Sequence, residues 1–176
     1  MEINDRLKMY LSFADVSRRW TSVMDAKAAF LSALNGGLLA FLWGGAKLDG
    51  WNVLEKTLGY GATLVALFGL MAALWTISPR EKLSFLVGKR SRWQAEYKPV
   101  SFYGYVAKEY GKDDFKNMES DLAKMDDAQF AHEALEQHFN ISRVIQTKSE
   151  WVFRTVMLTF LALALAGCAL LIKCAG

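Results

Sequence analysis

The chain has 176 residues, of which 53% are hydrophobic and 22% are charged, and its formal net charge is only +3. That hydrophobic share is high for a protein whose surface faces only water. The small net charge gives no excess of basic residues of the kind that binds nucleic acid. Charged residues are absent from three stretches, 28–46, 57–79 and 155–172. Each stretch is about as long as the roughly 20 residues that an α-helix needs to cross a bilayer, which excludes a simple cytosolic enzyme.

The first 27 residues predict an amphipathic helix that leads into the first span. Apolar residues recur at helical spacing from Leu7 to Met24, while charged residues such as Arg18 fall on other faces. The segment has no short apolar core followed by a small-residue cleavage site, so we do not expect a cleaved signal peptide. Residues 1–27 are therefore assigned to the cytosol as a helix.

Two spans follow, transmembrane helix 1 at 28–46 and transmembrane helix 2 at 57–79, joined by a loop at 47–56. Pro79 is expected to end the second helix, because its ring removes a backbone donor. Small residues recur at four-residue spacing in the spans, so helix backbones can approach closely, within one chain or between copies. These residues are Ala29, Ala33 and Gly37; Gly36, Ala40 and Gly44; Ala62, Ala66, Gly69 and Ala73; and Ala162 and Ala166.

The segment 80–150 is predicted to be cytosolic. Its first part is rich in aromatic residues and interrupted by Pro99 and several glycines, which indicates a compact, partly irregular region. From about Asn117 the helical period returns, without Pro or Gly before Gly167, so one long helix can run on through transmembrane helix 3 at 151–173. The predicted fold class is an all-α integral membrane protein with three transmembrane helices, an N-terminal amphipathic helix and a helical cytosolic segment.

The distribution of Lys and Arg predicts the orientation of the spans. These residues are retained in the cytoplasm when they lie near span ends. The segments 1–27 and 80–154 carry most of them, whereas the opposite flanks have only Lys47, Lys56 and Lys173. We therefore expect a cytoplasmic N-terminus, with the loop 47–56 and the C-terminus on the outside.

Three polar residues lie at or inside the first span, where such groups are energetically costly and usually face protein or water. Asp25 and Lys27 are two residues apart and do not share a helix face, so they need not pair. Lys27 can instead extend its ammonium to the interface. Asn35 lies deeper, and its amide is expected to bond another helix or to line a polar path.

No catalytic or metal-binding residue is predicted, and no bound cofactor. The sequence lacks HExxH, GxSxG and GxxxxGK[ST] patterns, Cys168 and Cys174 lack a zinc spacing, and His132 and His138 are interpreted as solvated helix residues. A small nucleotide needs only cations for its phosphate and an aromatic face for its base. Candidate nucleotide-binding residues of these types are Arg90, Arg92, Tyr103, Tyr105, Arg143 and Lys148. The alternative is a cytosolic cap with a solvated basic rim.

Three stretches carry a resemblance to a known family. Met24 to Leu39, MDAKAAFLSALNGGLL, resembles the opening of the transmembrane effectors of bacterial Pycsar antiphage systems, with D-x-K-A followed by N-G. Ser101 to Ala107, SFYGYVA, is similar to the aromatic-glycine element that follows the second span in that family. Glu136 to Lys148, EQHFNISRVIQTK, resembles its Q…S-x₅-K helix entering the last span. Asp25, Lys27 and Asn35 match the first motif.

The resemblance implies an antiphage defence effector without enzymatic activity. A partner pyrimidine cyclase would make cyclic CMP or cyclic UMP, and the effector would respond by disrupting the bacterial inner membrane, which causes abortive infection. The outside would then be the periplasm, and the partners would be the bilayer, the cyclic nucleotide and further copies of the chain. The alternative is a membrane-anchored scaffold or assembly protein whose cytosolic helix docks a partner. An integral-membrane enzyme would need a nucleophile or metal cluster that the sequence does not offer.

Overall fold

The computed structural model describes residues 3–46, 50–78, 106, 110 and 114–175. Helix α1, Ile3–Ala40, continues as a π-helical segment, Phe41–Gly45; α2 is Val53–Ile77, α3 is Phe115–Ala123 and α4 is Asp127–Ala175. This described part contains helices and no strand, which confirms the all-α fold class. By length and composition, α1 with its π-helical segment, α2 and α4 can each span a membrane. The predicted continuation of the last helix into the third span is also confirmed.

The chain forms two compact units. The first consists of Met1–Arg19 and Arg80–Arg143, and the second of Trp20–Pro79 and Val144–Gly176. The second unit contains the three uncharged stretches, so it is the part of the protein that is built for the bilayer.

Each helix of the second unit buries one stripe of residues whose spacing alternates between three and four, as in the seam of a coiled coil. The stripes are Met24, Ala28, Leu31, Asn35 and Leu42 on α1 and its π-helical segment; Glu55, Gly59, Ala62, Ala66, Gly69, Ala73 and Thr76 on α2; and Lys148, Val152, Thr155, Thr159, Ala162, Ala166 and Ala169 on α4. Most of these side chains are small, which allows close packing of helices where no hydrophobic effect drives them together.

The predicted small-residue stripes of the spans differ in what they contact. Ala62, Ala66 and Ala162 are fully buried, so the stripes of the second and third spans pack within the chain. On the first span, Ala33 and Gly37 are exposed, and a Cβ built at Gly37 would meet nothing within 4 Å. Within the described structure no other helix packs against Gly37. The stripe that contains Ala33 and Gly37 is therefore available for contact with lipid or with another chain.

Two helix starts differ from the sequence-based expectation. Helix α2 begins within the predicted loop 47–56, because the Asn52 side chain accepts a hydrogen bond from the Glu55 backbone while Glu55 bonds back to the Asn52 N–H, at 3.0 Å each. The predicted helix from about Asn117 is interrupted at residues 124–126. There the Asp126 carboxylate accepts from the Gln129 N–H at 2.7 Å and starts α4 as a separate helix.

Candidate functional site

An ion pair joins α1 to α4 within the second unit. The Lys148 ammonium donates to the Asp25 carboxylate; the Lys148 side chain is 9% exposed and that of Asp25 is 36% exposed. The sequence indicated that Asp25 need not pair with Lys27, and the structure supplies Lys148 as its partner. A buried ammonium requires a compensating charge, so this contact fixes the two helices at one level.

Asn35 lies at the point where α1, α2 and α4 meet, deep inside the second unit. Its Nδ2 donates to the Leu31 carbonyl and to the Thr159 hydroxyl, at 2.8 Å each, and the residue is fully buried. The interhelical bond that the sequence suggested for Asn35 is present. Its Oδ1 has no hydrogen-bond donor among the described residues and faces the backbone of Gly69.

Gly69 is the residue of α2 that makes room for the Asn35 amide. A Cβ built at Gly69 would lie 3.0 Å from Asn35 Oδ1 and 3.2 Å from its Nδ2, closer than side chains normally approach. An alanine at position 69 would thus push the amide by a few tenths of an ångström, against its bond to Thr159. The sequence pointed to Gly69 only as a member of a small-residue stripe, and this specific contact could not be read from spacing.

Thr159 is prepared to accept the Asn35 bond. Its hydroxyl donates to the Thr155 carbonyl at 2.8 Å, and the Thr155 hydroxyl donates to the Trp151 carbonyl at 2.9 Å. Because the Thr159 hydroxyl donates its hydrogen to the Thr155 carbonyl, its oxygen lone pairs remain free to accept the Asn35 bond. Sequence reasoning missed Thr155 and Thr159, although their four-residue spacing on the buried face of a span was a usable signal.

The opposite end of the second unit is closed by tryptophan contacts. Trp43 Nε1 donates to the Thr63 hydroxyl at 3.2 Å, and Trp51 Nε1 donates to the Ala46 carbonyl at 3.0 Å. The Lys173 ammonium lies 5.0 Å from the centre of the Trp51 ring, in cation–π contact. The buried Trp51 therefore contacts both Ala46, directly after the π-helical segment, and Lys173, near the end of α4.

The first unit contains a second set of contacts, between the start of α1 and the first part of α4. Ser17 Oγ and His138 Nδ1 are 2.8 Å apart, and the Phe13 and His138 rings lie 5.5 Å apart. Arg18 donates to the Gln137 side chain at 3.2 Å. His138 is half-buried, so its interpretation as a solvated helix residue is wrong.

The structure describes two of the six candidate nucleotide-binding residues, Arg143 and Lys148. Arg90, Arg92, Tyr103 and Tyr105 lie outside the described residues. Arg143 is exposed in the first unit, with its guanidinium 5.9 Å from the centre of the Phe139 ring, whereas Lys148 belongs to the ion pair of the second unit. No group of three His, Cys, Asp or Glu side chains suited to a metal occurs in the described ranges.

The arrangement holds the helices of the second unit together through one ion pair and one buried hydrogen bond. The ion pair is worth about 1–3 kcal/mol, reduced by the partial exposure of Asp25, and the Asn35 bond is worth about 1 kcal/mol. Contacts of this size stabilise one packing of the spans.

Comparison with known protein families gives a match over almost the whole chain. A family model described as the Pycsar effector protein domain covers residues 7–173 of the chain. Neither the curated proteins nor the solved structures include a significant match.

Proposed function

The chain belongs to the Pycsar effector family and so has an antiphage effector role at a membrane, and we propose that cyclic CMP or cyclic UMP activates it to disrupt the inner membrane. The family match over residues 7–173 carries this proposal. The protein would act without catalysis, and cell death before phage maturation would be the outcome. The interhelical contacts of the second unit give the proposal a physical mechanism.

The signal would act by favouring a second packing of the spans. A ligand shifts such an equilibrium only if it binds one state more tightly than the other. Moving a population from 1:99 to 99:1 requires a differential affinity of about 10⁴-fold, or about 5.5 kcal/mol. The Asp25–Lys148 pair and the Asn35–Thr159 bond together cost no more than that to break, so a nucleotide with this differential affinity would offset the loss of both contacts.

Arg90, Arg92, Tyr103, Tyr105 and Arg143 remain the proposed nucleotide contacts. Arginine suits a cyclic phosphate because its guanidinium offers two parallel donors, and tyrosine offers a face for the base. Lys148 is assigned a different role in this proposal, because its ammonium already has a carboxylate partner. It would serve as the contact that the signal weakens.

The membrane-disruptive state would be an oligomer. Three spans enclose little space in one chain, and the exposed stripe with Ala33 and Gly37 offers a surface for close helix packing. In the proposed orientation the N-terminus is cytoplasmic and the C-terminus periplasmic, which places the proposed nucleotide contacts where a cytosolic cyclase releases its product.

The decisive experiment measures membrane potential and dye entry in cells that express the protein with a pyrimidine cyclase. We expect depolarisation with an active cyclase that makes cyclic CMP or cyclic UMP, and none with an inactivated cyclase. A purine cyclase serves as the specificity control. If the membrane stays intact with both pyrimidine nucleotides while fractionation shows the protein inserted, the scaffold alternative replaces this proposal.

A further inference from the structure

A groove of about 580 Å³ runs along the outside of the second unit between α1 and α4. It extends from Val23 to Leu34 on α1 and from Val152 to Leu163 on α4. Its walls include Phe30 and Phe160, which are 67% and 66% exposed. The groove lies alongside the contacts that hold the two helices together, since Thr159, which accepts the Asn35 bond, is one of its lining residues.

The lining of the groove has one charge and is otherwise almost entirely apolar. That charge is Lys27, whose side chain is exposed and for which the described part of the chain supplies no carboxylate partner. Asp25, the nearest acidic residue in sequence, is held by Lys148. The hydroxyl of Thr159, the other polar lining residue, is already bonded within α4. The groove thus combines one available cation with an apolar channel.

The charge and the channel lie at successive depths of the bilayer. Lys27 directly precedes the uncharged stretch 28–46, so its ammonium belongs at the membrane boundary. From there to Leu34 the groove follows α1 for about 10 Å, at 1.5 Å per residue, into the hydrocarbon layer. A phospholipid matches this arrangement, because its anionic phosphate lies at the membrane boundary and its acyl chains extend into the hydrocarbon layer.

We propose that this groove binds an anionic phospholipid, with its phosphate on Lys27 and one acyl chain between Phe30 and Phe160. The charge complementarity selects the lipid over a second copy of the chain, because an apolar helix would leave the Lys27 ammonium uncompensated. The site does not depend on which nucleotide activates the protein. It would make the resting packing of α1 and α4 responsive to the lipid composition of the membrane.

The test uses the purified full chain in detergent and native mass spectrometry. Phosphatidylglycerol and phosphatidylcholine with identical acyl chains are added in equal amounts. We expect the protein to retain phosphatidylglycerol about five- to tenfold more than phosphatidylcholine, because the choline ammonium of phosphatidylcholine offsets its phosphate charge and repels the Lys27 ammonium. Lys27→Gln should abolish this preference, and Lys27→Arg should keep it.

Two further variants separate the headgroup contact from the channel. Arg154→Gln removes a boundary cation that stacks 5.0 Å from the centre of the Trp151 ring and does not line the groove, so its lipid preference should match the wild type. Ala26→Phe fills the groove and should lower retention of both lipids. Equal preference in Lys27→Gln and the wild type, with both folded by circular dichroism, would overturn the proposal. So would lipid-independent disulfide dimers of Phe160→Cys in a background without Cys168 and Cys174, because a second copy would then occupy the groove.

Discussion

Individual polar residues that a membrane-spanning helix would ordinarily avoid make the contacts between α1 and α4. Asp25 and Asn35 each contact a residue more than 100 positions away, Lys148 and Thr159 respectively. Such pairs set the register of two helices, since each polar group has one place where it is satisfied. They also define where the packing can be released.

The Asp25–Lys148 pair predicts a rescue by charge exchange. Asp25→Asn should lower the free energy of unfolding by about 1–3 kcal/mol, because it leaves the buried Lys148 ammonium without a counter-charge. The double variant Asp25→Lys/Lys148→Asp should recover part of the loss in thermal unfolding of the detergent-solubilised protein. Glu150→Gln, an exposed acidic site nearby, is the control. An unchanged melting temperature in Asp25→Asn would show that the pair contributes nothing.

Asn35 predicts a separation of insertion from toxicity. Asn35→Leu keeps the side-chain size but removes the bond to Thr159, worth about 1 kcal/mol, which holds the proposed resting packing. Killing should therefore occur at a lower level of the signal, while membrane insertion is retained. Thr159→Val should have a similar effect, and the double variant should add little to either. Killing at the wild-type level, measured at equal expression, would remove Asn35 from the mechanism.

At the scale of helices, the sequence determined more of the fold than of the site. Uncharged stretches and helical periodicity located three spans and the continuation of α4, because hydrophobic length is a property of the local sequence. They missed the interruption at Asp126, where a capping side chain decides the helix start, and the π-helical segment Phe41–Gly45. Which residues meet across helices could not be predicted, since the partners of Asp25 and Asn35 depend on the rotation of α4 against α1.

The close contact between Gly69 and Asn35 predicts that adding one methyl group at position 69 lowers the stability of the protein. Gly69→Ala should destabilise the protein by about 1–3 kcal/mol, because the new Cβ would displace the Asn35 amide. Gly167→Ala is the matched control, since a Cβ there meets nothing within 4 Å, and it should be neutral or stabilising by up to about 1 kcal/mol. Thermal unfolding compares the two. Equal melting temperatures would mean that the Asn35 amide can move freely.

The exposed stripe on α1 predicts a variant that affects assembly alone. Gly37→Leu should not lower the unfolding temperature of the monomer, since the described structure has space there and replacing a helical glycine is neutral or stabilising. It should reduce chemical crosslinking into oligomers in membranes, because the added side chain keeps two backbones apart. Leu64→Ala, on an exposed face of α2, is the control. Undiminished crosslinking in Gly37→Leu would place the contact between copies on another face.

Across the membrane, the asymmetry of basic residues predicts that the two ends of the protein lie on opposite sides. The described residues contain three helices long and apolar enough to span, and an odd number fits this prediction. Both cysteines are exposed, and Cys174 lies near the end of α4, so the chain carries its own probe of orientation.

The orientation is testable by thiol labelling of intact cells. In a Cys168→Ser background, a membrane-impermeant maleimide that enters the periplasm should label Cys174 without lysis. Asp5→Cys in a background without the two native cysteines should be labelled only after lysis, because the N-terminus is predicted to be cytoplasmic. The reverse pattern would invert the topology.

The alternating spacing of the buried stripes also limits how the chain can change in length. One inserted residue would rotate every later position of a span by about 100°, moving Thr159 or Ala62 from the interior to the lipid. An insertion of seven residues would restore the buried face but lengthen the helix by about 10 Å, a third of the hydrocarbon thickness. Insertions and deletions compatible with folding are therefore confined to the connections between spans, and the spans can diversify only by substitution.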